Sequence, residues 1–236
     1  MCLELSRSAF GALSMTETTN MSTMYDKTTQ VDVEIYADII CPWCFIGKRR
    51  LDAAFAKRPH ITPRYIWRCF LLNPNMPADG MHRQAYLHAK FGDSAQAVYG
   101  RIAEAGLDSG ITFNFDAISK TPNSRNAHKL LLAAGADNHA LSERLYSAYF
   151  IEGLDIGDKD VLDRIAIDAG QIDTGQIDLA QARHNVNFDQ QLENDLAKAR
   201  RLNMDGVPYF IFGGTYAIAG AHEADHLLPA IDAAAS

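Results

Sequence analysis

Four cysteines occur in the chain, at positions 2, 41, 44 and 69, and two of them stand in the run Cys41-Pro42-Trp43-Cys44. Two thiols at this spacing can carry disulfide exchange. One attacks as a thiolate and forms a mixed disulfide, and the other attacks that bond and releases the product. A free cysteine, with a pKa of about 8.5, supplies little thiolate at neutral pH. A cysteine at a helix N-terminus meets unpaired backbone N–H groups and the positive end of the helix dipole, and both favour the charged sulfur. The pattern therefore predicts Cys41, just ahead of a helix, as the attacking thiol and Cys44, one turn further in, as the resolving thiol. Pro42 suits a first helical turn, where its missing N–H leaves no donor unsatisfied. Trp43, between the thiols, either offers an apolar platform to substrate or packs on neighbouring structure.

Two cysteines at this spacing also make half of a zinc site, which needs two further cysteine or histidine ligands. The chain has no second such pair, and His60, His82 and His88 are scattered. Redox chemistry without a metal is the expectation.

The elements that must position the dithiol are legible on either side of it. Val31 to Ala37 alternates apolar and polar residues and then turns continuously apolar, which reads as a strand. Asp38 to Ile40 form a short loop, a helix runs from Pro42 to Lys57, and Ile61 to Leu72 gives a second strand. From Asn73 to Asn203 the spacing is helical, over Met81–Phe91, Ala95–Ala105, Ser124–Ala136, Ala140–Ile151, Lys159–Ala169 and Leu179–Leu202. Asp158 and Asn187 are candidate helix starts. Gly206 to Phe212 then reads as a turn feeding a buried strand, Gly213-Gly214 as a hairpin turn, Thr215 to Ala219 as the returning strand and Glu223 to Ala235 as a closing helix. Pieces of sheet thus flank a block of about six helices, so the expected class is α/β, a single domain with an embedded helical insertion. The expected boundaries are a flexible N-terminal tail over 1–29, sheet parts over 30–74 and 204–236, and the insertion over 75–203.

Composition narrows the partners. The 236 residues are nearly half apolar and carry a formal net charge of −7, which offers no basic field for nucleic acid or an anionic membrane. No run approaches the roughly 20 apolar residues of a membrane span. The first 29 residues lack the compact apolar core of a signal peptide. Few cysteines and no export signal lead to the expectation of a cytoplasmic protein, where a close cysteine pair is catalytic rather than structural.

A family resemblance rests on a wider set of residues: Asp38-Ile39-Ile40-Cys41-Pro42-Trp43-Cys44-Phe45-Ile46-Gly47-Lys48-Arg49-Arg50-Leu51, Leu72-Asn73-Pro74, Asn126-Ala127-His128, Ala148-Tyr149-Phe150, Gly206-Val207-Pro208 and Gly220-Ala221. In these the chain, from about Val31 to its end, resembles the DsbA branch of the thioredoxin superfamily and within it the FrnE-like proteins. The resemblance implies a thioredoxin-like sheet with a helical insertion, dithiol redox activity, and a cis peptide bond before Pro208 facing the dithiol. Main-chain groups of Val207 would then pair with a bound substrate segment as an added strand. Pro42, Trp43, Val207 and Pro208 are accordingly the expected substrate-binding residues. One departure is Cys69, which stands where the family usually has Pro after Trp-Arg; it is expected to be a small buried hydrophobe.

Other polar residues read more plainly. Asp38 is expected to serve as a turn or cap residue rather than a proton relay. Lys48, Arg49 and Arg50 read as a solvated helix face, Asn126 as a helix cap and His128 as a satisfied buried histidine.

These observations point first to a dithiol–disulfide oxidoreductase acting on protein or small-molecule disulfides, with no bound cofactor and with glutathione as a candidate redox partner or co-substrate. A second enzyme class, the kappa-class glutathione transferases and hydroxychromene-carboxylate isomerases, has similar organisation but usually Ser at the position of Cys41 and no need of Cys44. A third reading is a holdase built on the helical insertion. A homodimer through that block is left open.

Overall fold

The structure, a computed structural model, describes residues 28–170, 178, 182 and 184–236. The expected N-terminal tail lies outside these apart from Thr28 and Thr29. The first strand, β1, spans Thr29–Ala37 and is buried along its inner positions Val31, Val33 and Ile35. Helix α1 spans Pro42–Ala56, and strand β2 spans Ile61–Cys69. The α1 crossover makes β1 and β2 parallel, in register from Thr29 opposite Ile61 to Ala37 opposite Cys69. β2 ends three residues before the expected Leu72. The N–H of Cys69 is taken by the Asp195 carboxylate and that of Leu72 by Asp38, so the chain turns out of the ladder there.

Among the described residues, the elements between β2 and the closing sheet strands are helices, with one exception that periodicity cannot reveal. A two-residue ladder pairs β3 (Met81–His82) with β4 (Lys120–Thr121), so the helix expected from Met81 begins only at Arg83. The helices are α2 (Arg83–Phe91), α3 (Ala95–Asp108), α4 (Arg125–Ala133), α5 (Asn138–Phe150), α6 (Lys159–Asp168) and α7 (Val186–Arg201). Asp158 caps α6 as expected, its carboxylate accepting from the N–H groups of Asp160 and Val161. The start of α7 is capped by Asn185, which accepts from Asn187 N–H. The earlier part of the helix expected from Leu179 lies largely outside the described residues.

Strand β5 (Tyr209–Phe212) pairs antiparallel with β1, Ile35 opposite Phe210, and β6 (Tyr216–Ala219) pairs antiparallel with β5, giving the sheet order β2-β1-β5-β6. Gly213 and Gly214 both take positive φ in the connecting turn, as the hairpin signal requires. The closing helix α8 spans Ala224–Ala235 and packs on α1. This is the thioredoxin-like α/β fold with a helical insertion. Phe45 of α1 stacks on Tyr146 of α5 with centroids 5.1 Å apart and meets Phe113 edge-on at 6.0 Å. α1 is therefore the wall that the sheet domain and the insertion share.

Candidate active site

Cys41 occupies the N-cap of α1 in extended conformation, followed by Pro42 in the first turn. The N–H groups of Cys44 and Phe45 both donate to the Cys41 carbonyl, at 3.0 and 3.4 Å, so the turn that spaces the two thiols is also the first turn of the helix. No side chain caps that turn. The first-turn amides and the positive helix end are left to the sulfur at its mouth. Both thiols are recessed, Cys41 at 4 % and Cys44 at 2 % exposure, whereas Trp43 between them is 37 % exposed. Burial pushes the Cys44 thiol well above its ordinary value, and its hydrogen bond with Cys41 and the charge of Cys41 push the same way.

The wall opposite Cys41 is the segment before β5. The Val207–Pro208 peptide bond is cis, as the resemblance implies. The Cys41 thiol lies 3.7 Å from the Val207 carbonyl, to which it donates. Gly47, on α1, lets the helix approach this segment: a Cβ there would stand 2.7 Å from Pro208 Cγ. The structure thus brings together Cys41, Pro42, Trp43, Cys44, Val207 and Pro208 from opposite ends of the chain.

Behind the dithiol lies a buried polar group. The Asp38 carbonyl accepts from Cys41 N–H at 3.0 Å, and its carboxylate accepts from Leu72 N–H at 2.8 Å and Ile40 N–H at 3.4 Å. Asp38 therefore holds the turn, as expected, but its carboxylate is fully buried and its charge acts on Cys44. His128 faces it, Nε2 lying 3.4 Å from Asp38 Oδ1 without the alignment of a hydrogen bond. The indole N–H of Trp67 donates to His128 Nδ1 at 3.1 Å. An indole N–H can only donate, so Nδ1 is the acceptor and neutral His128 carries its proton on Nε2, toward Asp38. His128 is thus satisfied on one nitrogen only.

The chain and its fold have known relatives. The model of the DSBA-like thioredoxin domain matches residues 32–232. The chain belongs to that family. The structure of a probable DsbA oxidoreductase, SCO1869, from Streptomyces coelicolor superposes with a TM-score of 0.73, at 26% identity, over 86% of this chain and 89% of that one. The cytosolic disulfide reductase DsbM from Pseudomonas aeruginosa, whose structure is also known with GSH, is similar at a TM-score of 0.58 and 18% identity, over 86% of this chain and 95% of its own. A 2-hydroxychromene-2-carboxylate isomerase is similar at 0.56 and 16%, over 86% and 93%. Disulfide oxidoreductases and an isomerase therefore share this DsbA-like fold.

Two expectations about this DsbA-like domain need correction. Lys48, Arg49 and Arg50 are not a solvated face. Lys48 is buried and pairs with Asp52 at 2.9 Å and Glu143 at 3.0 Å, Arg49 pairs with Glu143 at 2.6 Å, and Arg50 donates to the Ala221 carbonyl at 2.6 Å and pairs with Glu223. They bind α1 to α5 and to the loop before α8, because α1 is covered on more sides than a surface helix. Asn126 is not a cap either; it lies inside α4, and the side chain of Asn123 receives the Arg125 N–H. Cys69 is buried as expected, its thiol pushed well above the ordinary value by burial and then by the Asp195 carboxylate. No group of metal-ligating side chains occurs among the described residues, and none of their helices is long and apolar enough to cross a membrane. Sequence reasoning missed Tyr146, whose hydroxyl is buried without a partner near the dithiol, and the Trp67–His128–Asp38 contact. The Asn126-Ala127-His128 motif was the only available signal for that contact.

Proposed function

We propose that this protein is a dithiol–disulfide oxidoreductase in which Cys41 attacks and Cys44 resolves. The observation that carries the reading is the placement of Cys41 at the open end of α1 with Cys44 in hydrogen-bond contact directly behind it. The Cys41 thiolate attacks a substrate disulfide, a Cys41–substrate S–S bond forms and one substrate thiolate leaves. Cys44 then gives up its proton and attacks Cys41 Sγ. The Cys41–Cys44 disulfide forms, the second substrate thiolate leaves, and two electrons have passed from the dithiol to the substrate. Run backwards, the same steps oxidise a substrate dithiol. After the forward cycle an external thiol, glutathione or a thioredoxin-type dithiol, reduces the Cys41–Cys44 disulfide again; after the reverse cycle an external disulfide such as oxidised glutathione restores it, with no bound cofactor and no metal.

Pro42, Trp43, Val207 and Pro208 frame the attacking sulfur and form the substrate-binding surface in this reading, Val207 through its main-chain groups and Trp43 as the exposed apolar platform. Residues 75–203 act as the inserted part that closes one side of the site. The cytoplasm, whose glutathione pool keeps thiols exchanging, is the compartment that suits such chemistry.

The test is a glutathione redox titration with mass spectrometry of the cysteine-containing peptides. The expected result is a reversible Cys41–Cys44 disulfide, and a Cys44→Ser variant that accumulates a mixed disulfide on Cys41. Full turnover in Cys44→Ser would instead support glutathione-dependent isomerisation, which needs no second thiol.

A further inference from the structure

The last helix of the insertion delivers the chain to the wall opposite the dithiol, and the way it ends bears on that wall. Helix α7 is registered against the sheet by two side chains. The Asp195 carboxylate accepts from Cys69 N–H at 3.0 Å, and Lys198 pairs with Glu34 at 2.8 Å. After Arg201 the chain closes a left-handed cap. Asn203 N–H donates to the Arg200 carbonyl at 3.1 Å and Met204 N–H to the Ala199 carbonyl at 3.0 Å, the paired hydrogen bonds of a Schellman motif. Asn203 takes the positive φ that this turn demands, 52°, and among the described residues no other non-glycine residue has one. The apolar contact that accompanies such a cap is present too, since Met204 packs against a small buried cluster of Tyr36, Ala199 and Ile211.

Val207 packs against the same cluster and against the main core, so its place depends on both. The stretch between the cap and the wall has little else to order it. Among the described residues, no main-chain N–H of Asp205, Gly206 or Val207 donates to another main-chain group. Its order must therefore come from its two ends. One end is Pro208, whose carbonyl accepts from Gly220 N–H at 2.7 Å and whose ring lies against Gly47 of α1. The other is the cap on α7. A segment that pairs with an incoming strand binds more tightly when it is already held in the paired conformation, because ordering it on binding costs free energy.

We propose that Asn203 and Met204 are positioning residues, whose cap on α7 holds the Val207 main chain ready to pair with an extended substrate segment. The preference that follows is for disulfides in extended polypeptide over small disulfides without a main chain. The positioning stands on the cap and the cluster; its consequence for substrates rests on the oxidoreductase reading above.

The test separates the two. Two mixed disulfides share one leaving group, 5-thio-2-nitrobenzoate. One is carried by the cysteine of the peptide Ala-Thr-Val-Cys-Thr-Val-Ala and the other by 2-mercaptoethanol, which has no main chain to pair. Cys41 of the reduced protein attacks the peptide or mercaptoethanol sulfur, an S–S bond to Cys41 forms, and the nitrobenzoate thiolate leaves. In Asn203→Val, whose β-branched side chain disfavours positive φ, and in Met204→Ala, the rate with the peptide relative to that with the small disulfide should fall about 10-fold, as loss of one main-chain hydrogen bond predicts. Asn203→Gly, which adopts the turn freely, should keep the wild-type ratio. A merely structural role would slow both substrates alike, so an unchanged ratio in Asn203→Val and Met204→Ala overturns the substrate preference. Exchange of the Gly220 amide, read by NMR, tests the positioning without thiol chemistry. It should quicken in both variants while the amides that pair β5 with β1 keep their wild-type rates, and unchanged Gly220 exchange overturns the positioning. Should Asn203→Val fail to fold, Met204→Ala carries both measurements. Absence of thiolate release by the wild type from either disulfide overturns the oxidoreductase reading, and Gly220 exchange then decides the positioning alone.

Discussion

Gly47 offers the most direct test of how α1 meets the Pro208 segment. In an ordinary helix interior, replacing Gly with Ala stabilises by about 1 kcal/mol. At Gly47 the added methyl would sit 2.7 Å from Pro208 Cγ and 3.3 Å from Phe210 Cζ. The first distance is roughly 1 Å inside the optimum for two carbons. Pro208 Cγ is part of a ring fused to the backbone, so relief requires the segment itself to shift rather than a flexible side chain to swing away. Overpacking of this kind costs about 1–3 kcal/mol, which cancels or exceeds the gain in helix propensity. Gly100 on α3 supplies the control. It is helical, and a Cβ there meets nothing within 4 Å.

Gly100→Ala should therefore raise the unfolding midpoint by about 2–4 °C, the shift expected for 1 kcal/mol in a domain of this size, and Gly47→Ala should not. Activity should part the two variants further. The Val207 carbonyl that meets the Cys41 thiol at 3.7 Å is on the displaced segment. A misplacement of about 1 Å at reacting groups lowers rates by up to 10²-fold. Urea unfolding and dithiothreitol-coupled reduction of a model disulfide measure both quantities. A Gly47→Ala protein that gains stability like Gly100→Ala and keeps full turnover would refute the argument that this close approach positions the site.

Three further expectations follow from the same geometry. Cys69, sealed off and held protonated by burial and the Asp195 carboxylate, should resist iodoacetamide in the native protein and react only in denaturant, as read by mass spectrometry, while Cys41 labels first. Burial holds the His139 imidazole below its ordinary value even though Nε2 lies 2.6 Å from Asp52 Oδ1, with Lys48 and Glu143 also acting on it. The unfolded chain then binds the proton more readily, so this residue lowers stability as pH falls below about 6.5, and His139→Gln should lose less stability than the wild type between pH 7.5 and 5.5 in urea titrations. Asp52, held low against burial mainly by its hydrogen bond from His139, should add a second acid-labile contribution at lower pH, seen as a steeper loss below pH 4 in wild type than in Asp52→Asn.

What the sequence revealed divides by range. The dithiol, its helix and the parallel strand pair are local patterns, so Val31–Ala37, Pro42 and the two thiols could be placed from spacing alone. Pro208 became part of the site only through its motif, since 166 residues separate Val207 from Cys41. Arg83 and Tyr146 carried no signal, and Trp67 carried none for its contact with His128. An arginine opening an amphipathic helix looks solvated until the fold buries it, and the partner of the Trp67 indole lies 61 positions away. The basic run Lys48–Arg50 misled for the same reason. Charge was read as exposure, whereas the carboxylates that neutralise it come from α5 and from Glu223.

The shape of the site bears on which disulfides can be exchanged. Attack requires the incoming sulfur to reach Cys41 along the axis of the bond it breaks, and Cys41 lies recessed with its thiol against the Val207 carbonyl. A disulfide set flat in a folded protein surface cannot bring its sulfur up to a thiol so nearly covered. An extended segment pairing with the Val207 main chain, or a small molecule, can approach more closely. The basic side chains of α1 cannot draw anionic substrates to the thiol, because Lys48, Arg49 and Arg50 are all engaged by carboxylates.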